Sequence, residues 1–400
     1  MSAPHSKDGR DLSALLPQDP GPAKQVGRVW RADRGGPSVV YLRDNVLYDV
    51  TADYPTMSDL LDADFVSGWD THGGEALGSL ADFLHDPGNM RPGAERSCLL
   101  APCDLQAIKA CGVTFARSMV ERVIDERTAG KPEMATAIRT RIGELIGDSL
   151  SNIKAGSAHA AEVKAALIGE GLWSQYLEVG IGPDAEVFTK SQPMSAVGYG
   201  AQVGVHKSSK WNNPEPEIVL AVNSSARIVG ATLGNDVNLR DIEGRSALLL
   251  GKAKDNNASC AIGPFIRLFD DDFTIEDVEA ATLTMSVRGG GFEMTGRSNM
   301  SEISRSPADL VAQAMSEHHQ YPDGMMLFLG TMFAPTQDRA EPGSGFTHQP
   351  GDVVEIETPL LGALRNEVTL AHEAPHWSFG VRALMRNLAN RGLLPANSAR

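Results

Sequence analysis

Cysteine is scarce in this chain: four among 400 residues, at Cys98, Cys103, Cys111 and Cys260, with no C-x-x-C pair. Four scattered thiols build neither a disulfide scaffold nor a zinc ribbon, so they are expected to be reduced and partly buried, as in a cytoplasmic protein. Long apolar runs are missing too. Nothing approaches the ~20 residues that span a bilayer, and the first 25 residues are too polar and proline-rich for a secretory core. Positive charge is also short, Lys and Arg totalling 36 against 51 Asp and Glu, for a net charge of -15. That balance repels phosphate backbones and anionic lipid, and no basic stripe with interleaved aromatics offsets it. No nucleic acid and no membrane partner is expected.

Several motifs are likewise wanting. Gly198-Tyr199-Gly200 and Gly289-Gly290-Gly291 are neither a dinucleotide fingerprint nor a phosphate loop and read as turns. No G-x-S-x-G elbow occurs, and the pair His318-His319 lacks the spacing of a zinc site. What remains is a chain with 42% hydrophobic residues, enough for a sizeable core and two domains.

Punctuation along the chain suggests how that material is divided. Residues 1–25 read as a flexible tail with a short helix near 12–16. Residues 26–95 read as a small N-terminal α+β domain, with strands near 27–30, 38–42 and 46–50 and helices near 57–61 and 76–84. Residues 96–400 form the remaining unit. Its early part carries Phe115, Met119, Val123, Ile138, Ile142, Leu145, Val163 and Leu167 at helical spacing, a helical insert over about 115–172. From 186 to about 368, β-branched stretches alternate with Gly, Asn and Asp turns, so the fold class is α+β, mainly β.

The most specific pattern is acidic. Glu215 and Glu217 flank Pro216, and Asp236 follows nineteen residues after Glu217. Alternate residues of a strand share a face, so the two glutamates point the same way. Residues 218–222 and 227–233, joined across Asn223-Ser224-Ser225, read as a hairpin that carries Asp236 back beside them. Three carboxylates then converge, an oxygen-only set suited to Mg2+, with Mn2+ as substitute. The alternative is a solvated acidic strand end. Nearby, the loop Gly251-Lys252-Ala253-Lys254-Asp255-Asn256-Asn257 can lay a cation and amide donors over such a site, or expose its lysines to water.

Taken in order, these segments resemble the fumarylacetoacetate hydrolase superfamily. Glu215-Pro216-Glu217, Asn235-Asp236 with Arg240-Asp241, Gly251-Lys252 with Gly263-Pro264, Ser298-Asn299-Met300, Leu329-Gly330-Thr331, Gly351-Asp352-Val353-Val354 and Gly362-Ala363-Leu364-Arg365-Asn366 stand where its motifs stand. The resemblance implies a fumarylacetoacetate hydrolase-like mixed β-roll, Mg2+ on Glu215, Glu217 and Asp236, a lid from the insert, and a homodimer or homotetramer. In one respect the chain departs from the hydrolases: in Thr114-Phe115-Ala116-Arg117-Ser118, serine replaces the lid histidine that activates water. The runs around Trp173, Trp211 and Lys252 are similar to a sugar-acid branch instead. That branch implies dehydration of a small-molecule 2-keto-3-deoxy sugar acid, a pentonate, to 2,5-dioxopentanoate in pentose catabolism; the alternative is a hydrolase, decarboxylase or isomerase of another β-keto or 2-oxo acid in the same superfamily. The sugar-acid branch casts Lys252 and Ser118 as catalytic residues and Arg117, Lys190, Lys254 and Thr331 as substrate contacts.

Overall fold

The computed structural model describes residues 14–18, 22–115, 119, 140, 144, 153–333, 337–339 and 345–394. In chain order its strands are β1 (Gln25–Arg31), β2 (Gly36–Arg43), β3 (Val46–Asp49), β4 (Glu75–Ser79), β5 (Cys98–Leu100), β6 (Ala107–Gly112), β7 (Glu186–Ser191) and β8 (Gln202–Val205). There follow β9 (Pro216–Val222), β10 (Ile228–Asp236), β11 (Cys260–Leu268), β12 (Thr282–Gly289), β13 (Phe292–Asn299), β14 (Met325–Phe328), β15 (Val353–Thr358) and β16 (Gly362–Leu370).

Two sheets are built from them. The larger runs β4-β3-β2-β1-β11-β10-β9-β14-β6-β7, with β5 also paired to β1; the smaller runs β13-β12-β15-β16-β8. Pairing is antiparallel except for β14 with β6 and β16 with β8. The apolar character of β9 on both faces follows from its central place, since neither face meets water. Ile218, Leu220 and Val222 enter the core shared with the smaller sheet, where Met285, Val287, Ile356 and Leu364 also lie. Val219 and Ala221 enter a second core with Met57, Leu60, Phe65 and Trp69. By strand alternation Glu215 and Glu217 lie on the side of Val219 and Ala221.

Two readings of the sequence change here. Residues 76–84 are not a helix: β4 is followed by a 3-10 turn at Leu80–Phe83. Gly78, at φ 128°, takes a backbone conformation closed to a helix, and β3 offers it an open edge. Leu15, within the stretch read as a tail, is buried, and its carbonyl accepts from Ala363 N at 3.3 Å. The strands of the N-terminal region also continue the main sheet, because β1 pairs with β11 at Gln25 and Val26.

Of the expected helical insert, the described part holds helices Ala158–Gly169 and Gln175–Ile181. They pack through Val163, Leu167, Leu177 and Ile181, with Met119 against them. Arg117 and Ser118 lie outside the described residues. All four cysteines are free and buried, and burial pushes the thiols of Cys98 and Cys103 up to about 12, which leaves them inert at neutral pH. Among the described residues no helix is long and apolar enough to cross a membrane.

Candidate metal centre

The β9–β10 hairpin assembles the acidic residues as strand alternation requires. Glu217 pairs with Gly234 and Pro216 with Asn235, and the ladder continues past β9 with Asp236 N donating to Glu215 O at 3.0 Å. Glu215, Glu217 and Asp236 therefore share one face, with one carboxylate oxygen from each lying within 4.8 Å of the others. None meets bulk water: their exposures are 8%, 2% and 1%. This burial removes the alternative of a solvated strand end.

Two lysines balance part of the charge. Lys254 Nζ sits 2.5 Å from Glu215 Oε2 and 3.0 Å from Asp236 Oδ2. Lys190 Nζ lies 3.0 Å from Asp236 Oδ1 and donates to Val237 O, Ser259 Oγ and Lys254 O. With all its contacts inside the protein, Lys190 braces Asp236 and the 254–259 loop. Ser259 Oγ secures that loop further, donating to Lys254 O at 2.7 Å and accepting from Asn256 N at 3.0 Å. Lys252 points elsewhere. Lys252 and Lys254 lie on the short helix Leu250–Lys254, where two residues span about 200°, so Lys254 is buried and Lys252 exposed. The inward place expected for Lys252 belongs to Lys254.

The remaining support comes from the Gly330-Thr331 turn noted in the sequence and from Asn238 and Glu243, which the sequence did not single out. Gly330 N donates to Glu217 Oε2 at 2.6 Å. Gly330 has φ 89°, and a Cβ there would stand 2.2 Å from Thr114 Oγ1, so glycine is needed for this approach. Thr331, next in the chain, is half-buried and its Oγ1 accepts from Phe333 N at 3.2 Å. Asn238 Nδ2 donates to Glu215 Oε1 at 2.9 Å and to Glu243 Oε2 at 2.6 Å. Glu243 lies on the short helix Arg240–Glu243 while Asp236 ends β10, so no single periodicity relates the two.

Electrostatics sharpen the picture. Burial first, then Asp236 and Glu215, raises the Glu217 carboxyl well above the ordinary carboxylate range. Glu215 is raised by burial as well, against the pull of Lys254. Burial opposes the charge on Lys254, yet Asp236 and Glu215 outweigh it and hold the amine well above its ordinary range. It is an ammonium at neutral pH, a donor of charge or protons and not a ready base. Three carboxylates against two ammonium groups leave a local deficit of positive charge. Asp236 Oδ1 meets the Lys190 ammonium without hydrogen-bond alignment. Oxygen-only donors, a charge deficit and an unaligned buried oxygen fit a hard divalent cation such as Mg2+.

Such a centre at one end of a two-sheet β-roll defines a metal-dependent enzyme. The sequence matches the family model described as fumarylacetoacetate (FAA) hydrolase C-terminal over residues 152–369. The chain belongs to the fumarylacetoacetate hydrolase family. It is 31% identical over 257 residues to a probable 2-keto-3-deoxyxylonate dehydratase of Haloferax volcanii, covering 64% of this chain and 85% of that protein. It is 29% identical over 222 residues to the 2-dehydro-3-deoxy-D-arabinonate dehydratase of Saccharolobus solfataricus, covering 55% and 70%. A structure of 2-keto-3-deoxy-D-arabinonate dehydratase complexed with magnesium and 2,5-dioxopentanoate shares the fold. Its TM-score is 0.59 at 20% identity, over 86% of this chain and 99% of the other.

Proposed function

We propose that the protein is a Mg2+-dependent hydro-lyase that converts a 2-keto-3-deoxy-D-pentonate to 2,5-dioxopentanoate and water. The observation that carries this reading is the buried trio Glu215, Glu217 and Asp236 with the Lys254 ammonium against it, in a chain whose named relatives are dehydratases of such acids. The sequence adds a second support: the lid position at which family hydrolases carry a water-activating histidine is Ser118.

The reaction breaks a C3–H bond and the C4–O bond, releases water, and moves hydrogen from C5 back to the chain to leave a C5 aldehyde. When bound, Mg2+ supplies Lewis-acid polarisation of the α-keto acid oxygens and so acidifies C3. Glu215, Glu217 and Asp236 hold that ion. Lys254 keeps its proton at Nζ, where its charge offsets negative charge developing on the substrate, and the proton lost from C3 leaves with the C4 hydroxyl as the released water. Thr331, carried by the Gly330 turn that touches Glu217, offers a hydroxyl to the sugar chain. Arg117 and Ser118, assigned from sequence to the lid, grip the carboxylate and hydroxyls. Lys190 acts on Asp236 and not on substrate. Residues 96–400 form the catalytic unit, residues 26–95 extend its sheet, and the protein works as a cytoplasmic homodimer or homotetramer.

Incubation of the purified protein with Mg2+ and 2-keto-3-deoxy-D-xylonate should yield a semialdehyde that a coupled aldehyde dehydrogenase oxidises, with no cleavage of a carbon–carbon bond. Absence of product from protein that binds Mg2+ would remove the proposal. Release of pyruvate would replace it with carbon–carbon bond cleavage.

A further inference from the structure

Outside the acidic trio, Asn238 and Glu243 form a fork whose geometry the proposed chemistry does not use. Asn238 is wholly buried and stands across the ladder from Asn213, their backbones exchanging two hydrogen bonds of 3.0 Å. Two residues beyond Asp236, it presents its side chain on the same face. A primary amide carries two N–H donors and one carbonyl acceptor. Both donors of Asn238 are used on carboxylates, Glu215 Oε1 at 2.9 Å and Glu243 Oε2 at 2.6 Å. Its Oδ1 has no hydrogen-bond partner among the described residues.

That unequal use is informative. A flipped amide would set its carbonyl oxygen against the Glu215 and Glu243 carboxyl oxygens and forfeit both donated bonds. With Glu215 alone, rotation of Asn238 would cost one hydrogen bond; with Glu243 on the same side it costs two and adds repulsion. Glu215 Oε2 is already held by Lys254, so the Asn238 bond to Oε1 decides the tilt of the carboxylate plane. Glu243 is delivered by the end of the short helix Arg240–Glu243, held by its own N–H to Leu239 O at 2.9 Å.

We infer that Glu243 is a positioning residue of the metal centre: through Asn238 it locks Glu215 in the orientation that receives the cation. The inference rests on the metal reading above. Outer partners of metal ligands typically change affinity 10–100-fold when removed.

The test is Mn2+ binding, read by isothermal titration and by loss of the free-ion paramagnetic signal, on the full chain without substrate. Glu243→Ala should weaken Mn2+ binding by about tenfold or more. Glu243→Gln should stay within about threefold of the parent, because its carbonyl accepts the same bond, a rescue that a purely electrostatic role would not give. Asn238→Ser should reproduce the loss of Glu243→Ala, and the double variant should be no worse than either single one, as expected for residues acting in series. Asn238→Ser also carries the test should Glu243→Ala fail to fold. Affinity within twofold of the parent in Glu243→Ala, equal loss in Glu243→Gln, or additive losses in the pair would each overturn the inference while leaving the centre in place. A parent protein that binds no Mn2+ would instead overturn the metal reading, and this inference with it.

Discussion

Glu215 and Asp236 face each other across the β9–β10 hairpin, joined by the 3.0 Å bond from the Asp236 amide to the Glu215 carbonyl. That one backbone contact brings carboxylates from the two arms of one hairpin onto a common face, and alternation adds Glu217. The same relationship sets the behaviour of every residue around them.

Glu217→Gln should separate stability from function. The native carboxyl is pushed well above its ordinary range by burial and by its two acidic neighbours. A neutral amide relieves that repulsion and still accepts from Gly330 N. In excess chelator the variant should melt at or above the parent temperature. The Mg2+-induced rise in melting temperature should vanish, and turnover should fall about a hundredfold or more. A variant that keeps the Mg2+ shift would contradict the ligand assignment.

The two neighbouring lysines should differ sharply. Lys254→Met removes the ammonium that contacts Glu215 and Asp236, and kcat should fall by about two orders of magnitude or more. Lys252→Met changes an exposed side chain, and kcat should stay within about twofold. Equal losses in both variants would show that the phase of helix Leu250–Lys254 does not govern the site.

Lys190→Met should be read in stability. Lys190 is fully buried, and its contacts run to Asp236 and to three protein oxygen atoms. Removing one partner of a buried pair costs about 3–5 kcal/mol. Urea titration in chelator should show a loss of that order. A large rise in KM with unchanged stability would return Lys190 to the substrate.

Acid sensitivity should arise at Asp352 and His348. Burial opposes ionisation of Asp352, but His348 at 3.5 Å, the two-pronged Arg339 guanidinium and the Gln349 amide outweigh it and hold the carboxyl at about 2. An unfolded aspartate titrates near ~3.9, so this group contributes about 2–3 kcal/mol above that pH, lost as the pH falls through 2. His348 is lowered, chiefly by burial. The unfolded chain takes up its proton below about pH 6.5, so a first loss of stability begins there. Melting temperatures from pH 7.5 to 2.5 should decline in both windows, and Asp352→Asn, already weaker at neutral pH, should lack the lower decline. An identical acid profile in the variant would exclude Asp352 as the source.

Much of the centre was legible from residue order, because a hairpin obeys a local rule: side chains alternate, and the turn sets the register. Glu215, Glu217 and Asp236 needed nothing more. The lysine did not follow from order alone, since Lys252 and Lys254 differ only in helix phase, and that phase is set by packing against β7 and the 254–259 loop. Residues 76–84 were misleading for a related reason: their strand forms by pairing with the open edge of β3, a partner that the local sequence does not show.

The sequence by itself determined the local things: strands β1 to β3, β9 and β10, the acidic trio, and the oxygen-only chemistry that selects a hard cation. Tertiary structure alone decided what depends on groups far apart in the chain. It joined β1 to β11, brought the Gly330 amide to Glu217, and buried the carboxylates so that their repulsion matters. It also turned Glu243 toward Asn238. Periodicity reports which face a side chain takes, whereas proximity across a fold is fixed only once the sheets have packed.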